Sequence, residues 1–349
     1  MRGHRTIPPR RAEAADDVWT GPAYGHTVRS TWTDPSWLAT VQEWAETRLA
    51  EVRRPVTGRW EQPHARPWST ALRAPTRAGT VWLKANGPGT SFEPRLVHEL
   101  ARLSPLVPAP LALDTERAWT LLPDGGDRLR DRLAAEPRYE EWEQVLPAYA
   151  ELQRAATQEV DRLVFLGVPE VRPEALPELL DGLLADRKVT DGLDQGDLDR
   201  LRALQEPYAQ WCRELAAGGV PATVQHDDLH DGNVLCSADG FRVIDWGDTA
   251  IAHPFSTLLV TLRSIAHRWE LVPDDPGLLR LRDAYLEPWT ADHSSEDLRR
   301  LAALAVAVAP VGRSLAWRRA LIGVAGDARA EWWPSVPGWL GELGGPPAT

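Results

Sequence analysis

QHDDLHDGNVL at residues 225–235 and VIDWGD at residues 243–248 flank a short segment with the sequence CSADGFR. The segment contains Asp239 and Gly240 between two short apolar runs. An Asp-Gly pair in that setting is a strong signal for a β-hairpin. We therefore predict that the chain turns at this pair and that the two flanking stretches run antiparallel.

The hairpin determines which residues face each other across the two strands. With Cys236 opposite Phe241, the register brings Asn233 opposite Ile244. The side chain of Asn233 then lies beside Asp245 at the root of the hairpin. A carboxylate and an amide oxygen at one place are suitable ligands for a cation that prefers oxygen, such as Mg²⁺.

The order of polar residues in this region is distinctive. His226, Asp228 and Asn233 form the pattern His-x-Asp-x-x-x-x-Asn, and Asp245 follows the hairpin and precedes a Trp. Asp228 lies on the loop that enters the hairpin, where it is free to act as a base near the cation. The pattern resembles the catalytic and metal-binding loops of the aminoglycoside phosphotransferases, kinase-like small-molecule phosphotransferases related to choline and ethanolamine kinases. One departure is Asp227, where the family usually has Gly.

The resemblance implies a protein-kinase-like α+β fold with two lobes: a small lobe with an antiparallel sheet plus one helix, and a large, mainly helical lobe. It also implies an ATP- and Mg²⁺-dependent enzyme that moves the γ-phosphate to an alcohol group of a small molecule. Asp228 is then the catalytic base, and Asn233 and Asp245 hold the Mg²⁺. Lys84 contacts the phosphates, and His226 braces the catalytic loop.

Two predicted strands upstream match the small lobe. Residues 68–74 and 80–85 alternate in a strand-like pattern around a turn at Gly79, which predicts another hairpin. Lys84 ends the second strand, and a lone lysine on a strand is usually a solvent-facing residue. Its position before a helix and far upstream of the aspartates instead favours the family's lysine that contacts the α- and β-phosphates of ATP.

The next predicted helix covers about residues 94–103. Its apolar residues form a buried stripe on one face, and counting three or four residues back from the start of this stripe leads to Glu93. Glu93 is therefore the candidate for a carboxylate that pairs with Lys84. The alternative is a capping box that joins Thr90 and Glu93. Pro94 bears on the choice, because proline prefers the first helical position and would place Glu93 at the cap.

Residues 118–123 predict the last strand of the small lobe, which continues into a hinge. By resemblance, the backbone near Leu121 and Leu122 would hydrogen-bond the adenine, and Leu235 and Ile244 would form the floor of its pocket. The sequence has no Gly-x-Gly-x-x-Gly motif over the expected phosphate position. That absence fits small-molecule kinases of this group better than protein kinases.

The pattern of helical and strand-like segments divides the chain into three parts. Residues 1–57 are an N-terminal arm and a packing helix that begins at Asp34-Pro35. Residues 58–122 form the small nucleotide-binding lobe, and residues 123–349 form the large catalytic and substrate-binding lobe. In the large lobe, helices are predicted in several pieces over residues 128–217, and then over 257–269, 278–285, 298–308 and 313–324.

Composition limits the range of partners. The 349 residues include 39 basic and 50 acidic side chains, a net charge of −11 that argues against a nucleic-acid partner. The two cysteines provide neither a disulfide framework nor a zinc quartet and fit a reducing compartment. The N-terminal residues do not resemble a secretory signal, and the longest apolar run, residues 301–311, is too short to span a membrane. We expect a cytoplasmic protein with no membrane partner.

Two other classes of function were weighed against the kinase. His226 and His230, with nearby carboxylates, have a spacing that occurs in zinc sites of metal-dependent hydrolases. That spacing converges on one face only in a helix, and Asp231-Gly232 followed by a strand argues against a helix here. A non-catalytic nucleotide-binding scaffold is disfavoured, because no catalytic position is missing.

The identity of the phosphate acceptor rests on fewer residues. Asp231 and Asp248 are candidates to meet ammonium groups of an acceptor, although a solvated loop residue and a helix cap are equally compatible readings. Trp269, Trp289 and Trp317 are candidate stacking walls for a sugar or a cationic group. The first hypothesis, by resemblance, is an aminoglycoside or amino sugar, which would make the protein an antibiotic-resistance enzyme. The alternative is a housekeeping kinase for choline, ethanolamine or a simple sugar.

Overall fold

The computed structural model describes residues 31–133 and 136–345 of the chain. Most of the predicted N-terminal arm, up to residue 30, lies outside the described residues. The rest is a mixture of helices and antiparallel sheet in two lobes, which confirms the predicted α+β class. The residue boundaries proposed for the three parts of the chain stay predictions.

The small lobe is a five-stranded antiparallel sheet with the strand order β1-β2-β3-β5-β4. Helix α1 packs on it through Val41, Ala45 and Leu49, which are fully buried. Asp34 caps α1 by accepting the backbone N–H groups of Ser36 and Trp37 at 2.8 and 3.2 Å. The elements of this lobe are α1 (Pro35–Glu51), β1 (Glu61–Arg66), β2 (Ser69–Thr76), β3 (Gly79–Asn86), α2 (Glu93–Leu103), β4 (Ala112–Asp114) and β5 (Trp119–Pro123).

The large lobe is mainly helical. Its helices are α3 (Leu129–Arg132), α4 (Glu140–Ala156), α5 (Val160–Phe165), α6 (Leu176–Ala185), α7 (Arg187–Thr190), α8 (Gln195–Ala203), α9 (Gln205–Ala217), α10 (Leu258–Arg268), α11 (Pro276–Leu286), α12 (Ser295–Ala320), α13 (Gly326–Trp332) and α14 (Ser335–Gly341). Its short strands are β6 (Asp127–Arg128), β7 (Glu170–Val171), β8 (Thr223–Gln225), β9 (Val234–Ser237), β10 (Gly240–Val243) and β11 (Ala250–Ala252).

The hairpin of β9 and β10 has the predicted register. Cys236 pairs with Phe241, and the amide of Ile244 donates to the carbonyl of Asn233 at 2.9 Å. The two loop residues are Ala238 and Asp239, whereas the predicted turn was the next pair along the chain. Gly240 begins β10 with a φ of 106°, a conformation that favours glycine.

The prediction of two separate helices over residues 298–308 and 313–324 is wrong, because a single helix, α12, covers most of this region. It is continuous from Ser295 to Ala320, with Pro310 inside it and buried. The helix therefore continues through the proline, a residue that normally interrupts a helix. Among the described residues α12 is the one helix whose length and hydropathy would allow it to cross a membrane. Because 61% of its apolar window is buried, it resembles the core helix of a soluble protein.

Helix α2 joins the two lobes. Its side chains Leu96, Val97 and Leu100 are buried in the hydrophobic core of the large lobe, not in the cluster between α1 and the sheet. The first residue of α2, Glu93, is therefore held at the boundary between the lobes.

Candidate active site

A chain of charged groups connects the small lobe to the hairpin root. Lys84 on β3 places its Nζ 2.7 Å from Glu93 Oε1 and 2.5 Å from Asp245 Oδ1. The predicted ion pair with Glu93 is thus present. The capping-box alternative is wrong, because the residue at the cap of α2 is Phe92 and no side chain caps this helix. Glu93 Oε1 instead also accepts the backbone N–H of Trp246 at 2.9 Å.

Burial and charge act in opposite directions on these groups. Burial by itself would lower the pKa of Lys84, but the charges of Asp245 and Glu93 outweigh it, so the pKa is raised and the ammonium stays charged. Burial raises the pKa of Glu93, although Lys84 opposes the shift. For Asp245 the favourable charge of Lys84 overcomes burial and lowers the pKa. A lysine that remains cationic at this position is suited to hold phosphate oxygens.

Asp245 has an unusual backbone conformation. Its φ of 65° and ψ of 58° lie in the left-handed region, which costs energy for a residue other than glycine. The next residue stabilises this conformation: Trp246 is buried, and its indole N–H donates to Val243 O at 3.0 Å. Strain of this kind is characteristic of functional positions. The side chain of Asp245 is 50% exposed and therefore accessible to a ligand.

His226 makes the bracing contacts predicted for it. Its Nδ1 accepts the backbone N–H of Asp228 at 3.2 Å, so the ring proton is on Nε2, which donates to the carbonyl of Ile244 at 3.0 Å. The ring is fully buried, and burial lowers its pKa. His226 therefore connects the catalytic loop to the hairpin as a neutral residue.

The hydrolase alternative fails on the same contacts. Both ring nitrogens of His226 are used in hydrogen bonds to the backbone, so the residue has no lone pair for zinc. Within residues 31–133 and 136–345, no group of three or more His, Cys, Asp or Glu side chains is arranged to bind a metal ion. A zinc hydrolase would need such a group.

Asn233 and Asp245 form an oxygen-donor pair that fits Mg²⁺. The Asn233 side-chain amide donates from Nδ2 to the carbonyl of Asp228 at 3.0 Å, which turns its Oδ1 to the opposite side. The backbone bond from Ile244 to Asn233 holds Asp245 next to it. Mg²⁺ in kinases is held by one or two protein oxygens, together with water and substrate phosphates, so this small donor set is sufficient.

Asp228 has a partner that the sequence did not indicate. Arg313 of α12 donates from one terminal nitrogen to Asp228 Oδ1 at 2.6 Å, and His230 Nε2 lies 3.5 Å from the other carboxylate oxygen. Burial would raise the pKa of Asp228, but the charges of Arg313 and His230 outweigh it, so the pKa lies well below its usual value. No local motif marks Arg313, which follows the apolar middle of α12 and is buried there.

Asp227, the departure from the family pattern, points into the protein. It is 5% exposed and accepts a hydrogen bond from the side-chain amide of Gln225 at 3.0 Å. Burial raises the pKa of Asp227 to about 7, although Arg313 opposes the shift. The extra carboxyl group beside the proposed base is therefore partly protonated at neutral pH.

Of the four residues predicted to contact the adenine, one has its backbone carbonyl already bonded within the sheet. Leu235 lies under the segment that follows β5, because a Cβ added to Gly125 would overlap its side chain. Leu121 is inside the sheet, paired with both β3 and β4, and its carbonyl accepts the amide of Leu111 at 2.8 Å. We therefore correct its predicted main-chain contact with the base. The roles of Leu122, Leu235 and Ile244 stay predictions.

Two of the predicted acceptor contacts are wrong. Asp231 lies between Arg130 and Arg268, 3.2 and 2.8 Å from their nitrogens, so its charge is already paired. Trp269 is 8% exposed and packs edge-on against Tyr139, with ring centroids 5.5 Å apart. Asp231 thus stabilises the catalytic loop and Trp269 packs in the hydrophobic core; neither residue lines the cleft beside Asp248.

Of the other three candidates for acceptor contacts, one is buried in the core and two lie near the catalytic loop. Trp289 is 2% exposed and packs on Phe255 in the core. Asp248 accepts from Arg313 at 2.6 Å and lines a cleft beside the catalytic loop. Trp317 contacts the guanidinium of Arg313, whose Cζ lies 5.7 Å from the centroid of the Trp317 ring.

The fold and this arrangement of groups define a kinase-like phosphotransferase that acts on hydroxyl-bearing small molecules. Residues 76–304 match the phosphotransferase enzyme family designated APH. Because the match covers most of the chain, the protein belongs to that family. No curated protein sequence matches it.

Solved structures with the same fold differ widely in sequence. The ethanolamine kinase of Plasmodium vivax is 10% identical, with 80% of this chain and 82% of that chain covered and a TM-score of 0.57. The GDP and kanamycin complex of APH(2")-IIia is 14% identical, with 86% and 98% covered and a TM-score of 0.57. The macrolide 2'-phosphotransferase MphH of Brachybacterium faecium is 16% identical, with 84% and 97% covered and a TM-score of 0.53. At these identities the likeness shows the fold alone.

Proposed function

We propose that the protein transfers the γ-phosphate of ATP, with Mg²⁺, to a hydroxyl group of a small molecule. The observation that carries the proposal is the contact between Lys84 Nζ and Asp245 Oδ1 at 2.5 Å, which brings a phosphate-binding cation and a metal-binding carboxylate together between the lobes. Asn233 lies next to Asp245 across the hairpin root, and Asp228 is on the adjoining loop.

The nucleotide would occupy the cleft beside these residues. The ammonium of Lys84, held by Glu93, would hold the phosphates, and Leu235 and Ile244 would support the base. Asn233 and Asp245 would hold Mg²⁺, which neutralises charge on the β- and γ-phosphates. A GTP competition assay would test the nucleotide preference, since GDP was bound in related aminoglycoside phosphotransferases.

Asp228 would orient the acceptor hydroxyl. The hydroxyl oxygen forms a bond to the γ-phosphorus as the bond from that phosphorus to the bridging β,γ-oxygen breaks and ADP leaves. The hydroxyl proton passes to Asp228 and then to solvent. Because the pKa of Asp228 is low, its carboxylate is ionised at neutral pH and acts mainly by aligning the hydroxyl, with proton transfer late in the reaction.

The amino-sugar hypothesis loses its support from individual residues. The hypothesis came from the family resemblance, and its two candidate contacts for ammonium groups, Asp231 and Asp248, are both paired with arginines. We therefore propose a hydroxyl-bearing small molecule as the acceptor; aminoglycosides, choline, ethanolamine and simple sugars belong in the same substrate screen. A cytoplasmic location is part of the proposal, supported by the ATP-dependent chemistry and by two buried cysteines without disulfides.

The catalytic assignment is tested by Asp228→Asn. The amide keeps the shape of the side chain but cannot accept the proton as a carboxylate does, so we expect acceptor-dependent ADP release to fall by about 100-fold or more. ATP–Mg²⁺ binding, measured by calorimetry, should change by less than about threefold. Asp239→Asn, on the exposed loop of the same hairpin, is the matched control. Undiminished ADP release in Asp228→Asn would contradict the assignment.

A further inference from the structure

Arg313 holds a central place in the site that the proposed function does not use. Its side chain is 5% exposed, and its two terminal nitrogens lie 2.6 Å from Asp228 Oδ1 and 2.6 Å from Asp248 Oδ2. One guanidinium thus joins the proposed base to the carboxylate of the turn that follows Asp245. This geometry fixes the orientation of both side chains.

Aromatic rings also hold the guanidinium. The Arg313 Cζ lies 5.7 Å from the ring centroid of Trp317 and 5.6 Å from that of Trp339. Planar guanidinium groups stack on tryptophan, and the attraction increases when the pair is buried. Two carboxylates and two indoles therefore keep the cation in place, and an incoming ligand would have to break four contacts to displace it.

The cleft beside the catalytic loop contains a second guanidinium. It is lined by Asp227, Asp248 and Arg319, with Val171, Leu176 and Ala309 on its apolar side. Arg319 donates to the carbonyls of Asp248 and Thr249 at 3.0 and 3.3 Å.

The charges around this cleft do not favour a cation. Asp228 and Asp248 already have their cationic partner in Arg313. The charges of Asp228 and Asp248 are balanced by those of Arg313 and Arg319, so an ammonium group beside Asp228 would gain no net attraction and would lie next to the guanidinium of Arg313. Like charges near a partly buried site repel more strongly than in water. A hydroxyl compound without positive charge meets no such repulsion.

We propose that the phosphate acceptor carries no positive charge near its reacting hydroxyl, and that Arg313 is the residue that sets this preference. The inference rests on the proposed kinase function and specifies its substrate class as neutral or anionic hydroxyl compounds. Arg313 takes the place beside Asp228 that an acceptor ammonium would otherwise fill. It acts through Asp228 and Asp248 and is a positioning residue as well as a specificity determinant.

The test compares acceptors that differ in charge. Acceptor-dependent ADP release by the full chain is measured with glucose, N-acetylglucosamine, gluconate and glycerate, and with glucosamine, ethanolamine, choline and kanamycin. We expect at least about tenfold higher kcat/KM for members of the first group, with glucose against glucosamine as the matched pair. Within the first group, comparing glucose and N-acetylglucosamine with gluconate and glycerate shows whether the enzyme prefers neutral or anionic acceptors. Preference for the ammonium-bearing group, or stimulation by no member, overturns the inference.

Nucleotide binding separates this outcome from failure of the proposed function. If ATP–Mg²⁺ binds and binding falls in Asp245→Ala, but acceptors are ammonium compounds, the substrate class is wrong and the kinase proposal survives. If no Mg²⁺-dependent nucleotide binding is detected by calorimetry, the kinase proposal itself fails. The two results come from independent measurements on the same protein.

The role of Arg313 is tested by Arg313→Gln. We expect at least about a tenfold loss of discrimination between glucose and glucosamine, because the guanidinium no longer occupies the place beside Asp228. Arg318→Gln is the matched control, since Arg318 is on the same helix and pairs with Asp186 on the surface. Near-ultraviolet circular dichroism verifies folding. Unchanged discrimination in folded Arg313→Gln overturns the role; if the variant does not fold, the acceptor comparison with the wild-type protein decides the substrate class.

Discussion

Most of the carboxylates around the catalytic loop are held by cationic side chains. Asp231 shows the consequence most clearly, because Arg130 and Arg268 approach it from α3 and α10. Removing one member of a buried ionic cluster leaves the others without compensation, which costs more than the intact cluster gains. We therefore regard Asp231 as a residue that stabilises the loop and not as an acceptor contact.

Asp231→Asn should accordingly destabilise the protein without altering acceptor binding. We expect the free energy of unfolding to fall by about 1–3 kcal/mol, because two partly buried guanidinium groups lose their counter-charge. Urea unfolding and the KM for the best acceptor give the two readings. A higher KM with unchanged stability would return Asp231 to the substrate site.

His253 predicts a pH dependence of stability. It is 2% exposed, its Nδ1 accepts the backbone N–H of Phe255 at 3.3 Å, and burial lowers its pKa to about 3. An unfolded histidine titrates near 6.5, so between these values the unfolded chain binds more protons than the folded one. Stability is therefore lost as the pH falls below about 6.5.

For His253 this loss amounts to about 2 kcal/mol between pH 7 and pH 5. His253→Asn keeps a cap for Phe255 but does not titrate, so its stability should fall less over the same interval. Urea unfolding of both proteins at pH 5, 6 and 7 provides the comparison. Parallel pH curves for the two proteins would rule out His253 as the source.

The hairpin of β9 and β10 is the element that brings together the two residues proposed to hold Mg²⁺, Asn233 and Asp245. It depends on the conformation of Gly240, whose φ is 106°. A Cβ at this position meets no atom within 4 Å, so any cost of adding one is conformational and not steric. A Cβ added to Gly338 in α14 also meets no atom within 4 Å, but the backbone at Gly338 is helical.

Gly240→Ala should therefore destabilise the protein by about 1–2 kcal/mol and lower turnover, because Asn233 and Asp245 depend on the hairpin register. Gly338→Ala should be neutral or stabilise the protein by up to about 1 kcal/mol. Thermal unfolding and ADP release measure both variants. Equal effects of the two substitutions would show that the turn does not control the site.

The two lobes are connected by more than the segment after β5. Helix α2 contributes to the large-lobe core, and Trp68 of the β1–β2 turn packs edge-on against Trp317 and Trp332, with centroids 5.4 and 5.0 Å apart. The turn after β3 approaches the end of α12 so closely that a Cβ on Gly89 would overlap the carbonyl oxygen of Arg319. Lys84 and Asp245 meet because of these contacts.

Gly89→Ala should force the lobes apart at this point. We expect a loss of about 2 kcal/mol or more in unfolding free energy and at least about a tenfold loss in kcat/KM, because overpacking displaces Lys84 from Asp245. Gly182→Ala in α6, where a Cβ meets no atom within 4 Å, is the control. Wild-type activity in Gly89→Ala would show that the site tolerates separation of the lobes.

Local features of the chain were sufficient to determine much of this protein. The hairpin register, helix α1 with its Asp34 cap and the pairing of Lys84 with Glu93 were all predicted from turn chemistry, capping and periodicity. The catalytic loop was recognisable because its polar residues are close in sequence and their spacing is set by one short loop and one hairpin. Such features depend on neighbours within a few residues.

Only the tertiary structure decided which partners Asp228 and Asp231 meet. Arg313 is 85 positions from Asp228 and reaches it from α12, a helix that continues through Pro310. In the same way, Asp231 is paired by arginines from two other helices. The partner of a buried charge depends on how distant helices pack, and neither residue spacing nor periodicity carries that information.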